Sequence, residues 1–150
     1  MKEIKAVIFD LDGVIVSTDE FHFLAWKQLA DAEGILFDRE DNERLRGVSR
    51  MESLDILLEK SPKPYSDEQK REMAERKNAI YRELLAKLSP ADLLPGVAAT
   101  LDGLRKRGVK IAIGSSSKNA GPILEAIGLG GGFFDAVADG THISRSKPDP

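Results

Sequence analysis

The chain has 150 residues, 41% hydrophobic and 31% charged, with 22 basic and 25 acidic side chains and a formal net charge of −3. That length suits one domain, or one core with a small second domain. The absence of cysteine excludes disulfides, zinc-thiolate sites, iron-sulfur clusters and thiol catalysis, and no apolar run approaches the roughly 20 residues of a membrane helix, so a cytoplasmic location is expected.

Residues 5–10 form a short apolar run rich in branched side chains and stopped by Asp10, which predicts a strand buried on both faces of a parallel sheet. Thr18 and Asp19 can cap a helix whose apolar positions Phe21, Leu24, Ala25, Leu29 and Ala32 follow the 3.6 period up to Gly34. Ser49 with Glu52, and Ser66 with Gln69, have capping-box spacing ahead of two further helices, the second striped by Met73, Ile80, Leu84 and Leu88. Pro62 and Pro64 break the chain between them. Residues 16–89 thus read as an all-helical bundle. Beyond Pro95 and Gly96 the order returns to α/β: a helix from Val97 to Gly108, a strand over 109–113, a helix near 119–127, and a short strand over 135–138, with Gly130, Gly131 and Gly132 as a flexible joint.

Chemistry concentrates at the strand ends. Asp10 and Asp12, two residues apart where the first strand stops, point to the same side, and parallel sheets bind ligands at their carboxyl ends. Two carboxylates that close need a cation between them or a shared proton. A lone D-x-D is more simply an acidic turn, but the apolar strand before it and Gly13 after it favour a site. Gly114, Ser115, Ser116, Ser117, Lys118 and Asn119 follow the second strand, with the hydroxyls, backbone N–H groups and ammonium of a phosphate cradle; a capped strand-to-helix turn is an equal account. Ser146, Lys147 and Pro148 follow the third strand, where Lys147 alone reads as a solvated charge. No block of Lys and Arg marks a nucleic-acid or membrane surface, although a few basic groups suffice for a small anion.

Together Asp10, Asp12, Ser115 and Lys147 match the first three motifs of the haloacid dehalogenase superfamily of phosphotransferases, which the chain resembles. Within it, the run from Phe21 through Trp26 to Lys27, the run Arg46, Gly47, Val48, Ser49 and Arg50, and Ser115 to Asn119 are similar to the β-phosphoglucomutase subfamily. The resemblance implies a Rossmann-like three-layer α/β core with a parallel sheet, formed by residues 1–15 and 90–150 and incomplete at its C-terminal side, plus an inserted all-helical cap at 16–89. It implies Mg²⁺-dependent interconversion of β-D-glucose 1-phosphate and β-D-glucose 6-phosphate through a phospho-aspartyl enzyme and a glucose 1,6-bisphosphate. Asp10 would be the nucleophile and Asp12 the general acid and base, both contributing to the metal shell. Ser115 and Lys147 would hold the transferring phosphoryl group. Arg50 with Ser117, Lys118 and Asn119 would form a distal phosphate site, since an arginine fork binds phosphate bidentately.

The same resemblance makes His22 a hinge histidine and Lys77 its cap-side partner. It adds Arg46, Gly47, Val48, Ser49, Ser116 and Trp26 to the substrate-binding set, although Trp26 on its own reads as core. Arg46 stands where the family commonly has lysine, Ser17 where aspartate is frequent, and Ser116 where alanine is often seen. The family continues past Lys147 and Pro148 with a helix, a strand and an acidic motif that completes the magnesium site. A 150-residue chain without them would bind Mg²⁺ weakly, show little mutase activity and leave one edge of its first strand unpaired. The expected partners are therefore a sugar phosphate and bisphosphate, with a monomer at full length and self-association if truncated. A sugar-phosphate phosphatase of the same superfamily and a non-enzymatic fragment are the competing readings.

Overall fold

A computed structural model describes residues 3–145 and 147–149. In chain order its elements are β1 (Ala6–Phe9), α1 (Asp19–Ala32), α2 (Arg39–Glu43), α3 (Arg50–Leu58), α4 (Asp67–Leu85), a 3-10 turn (Pro90–Asp92), α5 (Val97–Lys106), β2 (Lys110–Gly114), α6 (Ala120–Ala126) and β3 (Ala136–Ala138). Two compact units result, one containing the residues up to Asp19 and those from Leu85 onward, the other Glu20–Leu84.

The first unit is built on a three-stranded parallel sheet of order β1-β2-β3, with Ala6 beside Lys110 and Ala112 beside Ala136. Asp135 extends the pairing at the start of β3: its N–H donates to the Ile111 carbonyl at 2.8 Å and its carboxylate accepts from the Ile111 N–H at 2.9 Å. Strand alternation sends Ile111 and Ile113 to the buried face, where the core includes Leu101 of α5 and Ile123 and Leu124 of α6. The opposite face carries Ala6, Ile8, Lys110, Ala136 and Ala138, all exposed. β1 is thus not buried on both sides as its apolar run predicts, and Ile8 is 74% exposed. Sequence hydrophobicity marks a face as fit for burial, but a layer must still lie on it, and the described residues supply a helical layer on one face only.

The second unit is helical. Capping explains its boundaries: the Ser49 hydroxyl accepts from the Glu52 N–H while the Glu52 carboxylate accepts from the Ser49 N–H, and Ser66 and Gln69 exchange the same pair of bonds. A third capping box, Asp38 with Asp41, starts the short α2, which the sequence reading passes over. The buried stripe of α1 is Phe23, Ala25, Trp26, Leu29 and Ala30. It is rotated from the expected stripe, leaving Phe21 and Leu24 half-buried and Ala32 exposed. Phe23, Trp26 and Leu29 join Ile35, Phe37, Leu54, Leu57 and Met73 in one apolar cluster.

Candidate active site

The loop after β1 is wound around one carbonyl. Leu11 O accepts the N–H groups of Val14, Ile15 and Val16 at 3.3, 2.9 and 3.3 Å, and Gly13, at φ 76°, donates to Val16 O at 2.8 Å. That positive φ is the left-handed region glycine enters without a Cβ penalty. Leu11, Ile15 and Val16 are fully buried and anchor the turn, which leaves Asp10 and Asp12 with accessible surface.

Asp10 Oδ1 accepts from the Leu11 N–H at 2.8 Å and lies 3.0 Å from Lys147 Nζ. The same ammonium donates to Gly114 O at 3.2 Å, so Lys147 spans the carboxyl ends of β1 and β2. Ser146, beside it in the sequence motif, lies outside the described residues. Asp12 accepts a hydrogen bond from the Thr18 hydroxyl. Desolvation by the surrounding chain raises the Asp12 pKa from its ordinary value, the Thr18 bond opposes the shift, and the neighbouring Asp10 and Asp19 charges add to it. Such an environment suits a carboxyl that must hold and release a proton. The sequence signals Thr18 only as a helix cap, whereas its buried hydroxyl serves Asp12.

In the loop after β2, Ser115 is buried and its N–H donates to Ala138 O at 2.9 Å. Its hydroxyl accepts from the Ser117 N–H at 3.0 Å, and the Ser117 hydroxyl accepts from the Asn119 N–H at 3.1 Å. Two of the N–H groups expected to face an anion are thereby taken by the loop itself, and Ser116 and Lys118 are the exposed members of the run. Gly140, missed in the sequence, braces this loop. It donates to Ser117 O at 3.0 Å, and a Cβ there would stand 2.3 Å from Ser116 O and 2.8 Å from Lys118 N.

The remaining predicted residues lie in the helical unit. Lys77 Nζ is 3.0 Å from His22 Nδ1, and the His22 ring stacks on Tyr81 with centroids 4.1 Å apart. Arg50 is held by Asn78 Oδ1 at 3.0 Å and lies 3.8 Å from Glu75. Arg46 is exposed and pairs with Glu43 at 3.0 Å, and Gly47, at φ 72°, turns the chain through Val48 into α3. The Ser49 hydroxyl is engaged in its capping box. Trp26 is buried in the apolar cluster beneath Lys77, a core position with little surface to offer a ligand.

An acid pair, a hydroxyl loop and a lysine thus stand at the ends of β1, β2 and the segment after β3, groups with the chemistry to bind a phosphoryl group and neutralise its charge. The chain belongs to the haloacid dehalogenase-like hydrolase family, whose model matches residues 4–150. It is 47% identical to a β-phosphoglucomutase of Bacillus subtilis (strain 168), over 97% of this chain and 65% of that relative. A phosphorylated carbohydrates phosphatase of Thermotoga maritima is 30% identical over 97% of this chain and 66% of its own length. The crystal structure of a β-phosphoglucomutase from Clostridium difficile superposes with a TM-score of 0.85 at 42% identity, covering 99% of this chain and 67% of that one. The chain thus spans about two thirds of the length of the relatives it matches.

Proposed function

We propose that the protein is a hexose-phosphate mutase that interconverts β-D-glucose 1-phosphate and β-D-glucose 6-phosphate through a bound 1,6-bisphosphate. The observation that carries this reading is the Asp10–Lys147 pair at 3.0 Å, together with 47% identity to a relative named for that activity. Asp10 is the nucleophile: its carboxylate oxygen bonds to phosphorus as the bond from phosphorus to the sugar oxygen breaks, and the sugar oxygen takes a proton from Asp12. In the bisphosphate this happens at C1 and leaves glucose 6-phosphate with phosphorylated Asp10; the reverse transfer, from that aspartyl phosphate to the 6-hydroxyl of an incoming β-glucose 1-phosphate with Asp12 removing the hydroxyl proton, forms the bisphosphate again. Lys147 and the Ser115 loop hold the phosphoryl oxygens, whose charge spreads in the transition state. Arg50, with its guanidinium steadied by Asn78, is a phosphate-binding group of the helical unit. In this proposal the sheet unit is the catalytic core and the helical unit its cap.

The donor set suits Mg²⁺. Asp10 offers a hard carboxylate oxygen and Asp12 its backbone carbonyl, and among the described residues no group of three or more His, Asp or Glu forms a closed cage. Magnesium commonly takes one or two carboxylates and fills its octahedron with water and phosphate oxygens. Bound there, it would neutralise phosphoryl charge.

The nearest competing reading is a sugar-phosphate phosphatase, supported by the Thermotoga maritima relative, with water in place of the sugar hydroxyl. A coupled assay started with β-glucose 1-phosphate and a trace of bisphosphate separates the two. Glucose 6-phosphate in excess of free phosphate supports the mutase, and stoichiometric free phosphate overturns it. Mass-spectrometric mapping of a phosphoryl adduct to Asp10, lost in Asp10→Asn, tests the nucleophile separately.

A further inference from the structure

Lys77 is an unusual lysine. Its side chain is 4% exposed, and among the described residues no carboxylate pairs with it. Lysine is rarely buried without such a partner. What surrounds the amine is apolar, neutral or positive. Its nitrogen lies 4.8 Å from the Trp26 ring centroid and 4.7 Å from that of Tyr81, and His22 Nδ1 is 3.0 Å away. The charge that acts on it is that of Arg50, which itself lies 3.8 Å from the exposed Glu75. The rings return part of the lost hydration of an ammonium as cation–π attraction. Burial and the Arg50 charge nevertheless push the Lys77 pKa down to about 7. The site is therefore hostile to a cation, and its fixed charge favours an anion.

We propose that Lys77 is a carbon dioxide site, at which the buried amine becomes a carbamate facing Arg50 and His22. The lone pair of Nζ attacks the carbon of CO₂, one C=O π pair moves onto oxygen, and the nitrogen releases one proton. The sum is an amine plus CO₂ giving a carbamate anion and a proton. The reaction needs the unprotonated amine, which ordinary lysines hardly offer near neutrality. Carbon dioxide is small and uncharged, so the Trp26 and Tyr81 faces do not oppose its entry. His22 Nδ1 is the base in reach. Burial first, then the Lys77 and Arg50 charges, hold its pKa down to about 3. Replacing the Lys77 cation by an anion removes one of those causes and reverses its sign, so His22 can keep the released proton as the partner of the carbamate.

The 150-residue chain is incubated with carbon-13-labelled bicarbonate and CO₂ at about pH 8. It is then examined by carbon-13 NMR, and by alkylation with a trialkyloxonium reagent followed by peptide mapping. The expected result is a carbamate resonance whose label maps to Lys77, about a hundredfold enriched over ordinary lysines because their neutral fractions differ by at least that factor. The resonance should fade as pH falls below 7 and be absent in Lys77→Arg. A second readout is the His22 imidazole, whose titration should move upward on CO₂ addition in the unsubstituted protein and stay fixed in Lys77→Arg. Label on other amines but not on Lys77, or an unchanged His22 titration under saturating CO₂, overturns the proposal. If Lys77→Arg does not fold, the mapping and the His22 titration on the unsubstituted chain decide it alone.

Discussion

Lys147 Nζ lies 3.0 Å from Asp10 Oδ1 and donates at the same time to Gly114 O at 3.2 Å. Both side chains are about half exposed, so the pair adds little to stability, on the order of 0–1 kcal/mol. Its importance lies in placing a cation beside the oxygen that would attack phosphorus. Lys147→Ala is expected to lower phosphoryl transfer by about a hundredfold or more while moving the melting temperature by only a degree or two. Parallel measurement of adduct formation on Asp10 and of thermal unfolding checks both halves. A large loss of stability with unchanged transfer would assign the residue to the fold instead.

Thr18 tests the proton chemistry of Asp12. Its hydrogen bond favours the ionised carboxylate, against desolvation and the Asp10 and Asp19 charges. Thr18→Val removes the hydroxyl at nearly constant volume, so the Asp12 pKa should rise further, and Thr18→Ser should restore it. Carbon-13 NMR titration of the Asp12 carboxyl reads the shift directly and requires no turnover. A pKa that falls or stays put in Thr18→Val refutes the assignment.

The Lys77 and His22 pair makes stability depend on pH in a defined sense. Both groups have folded pKa values below their unfolded ones, about 7 against 10.5 for Lys77 and about 3 against 6.5 for His22. In each interval the unfolded chain binds more protons, so stability rises with pH from about 3 to 6.5 through His22 and from about 7 to 10.5 through Lys77. Chemical denaturation in CO₂-free buffer should show a gain of about 2 kcal/mol between pH 7 and 9. Lys77→Met should flatten that rise. A profile that falls across this range would contradict the burial of an uncompensated amine.

Gly140→Ala is predicted to displace the loop from Ser116 to Lys118, since the new Cβ would meet backbone atoms at 2.3–2.9 Å. The expected cost is about 1–3 kcal/mol of stability, the usual range for overpacking. Amide shifts should be confined to residues 114–119 and 138–141. Shifts spread across both units would instead indicate general unfolding.

Local features of this chain were legible before its tertiary ones. The Ser49 and Ser66 capping boxes and the Asp10, Asp12 turn depend on neighbours within a few residues, and spacing alone exposes them. The buried stripe of α1 departs from the expected one because Phe21, Phe23, Leu24, Ala25 and Trp26 are almost continuously apolar, so the period leaves its phase undetermined. Packing of Phe23 against Phe37 and of Trp26 in the cluster sets that phase. The exposure of Ile8 depends on which layers lie on the sheet, and no window around Ile8 records that. Thr18 and Gly140 escaped for a similar reason. A hydroxyl that caps and one that serves a carboxylate look alike in sequence, and the crowding at Gly140 arises only once β2 and β3 are paired.

Time enters through the register of the sheet. Ala6 leaves the ribosome long before its partner Lys110, which is made only after every residue of the helical unit between them. The contacts of that unit are mostly nearer in sequence, and short loops close sooner and at lower entropic cost than long ones. The helices can therefore settle while β1 is still an unpaired apolar strand. During synthesis, the segment that carries Asp10 is the one left waiting, and it is the stretch a chaperone would have most reason to hold.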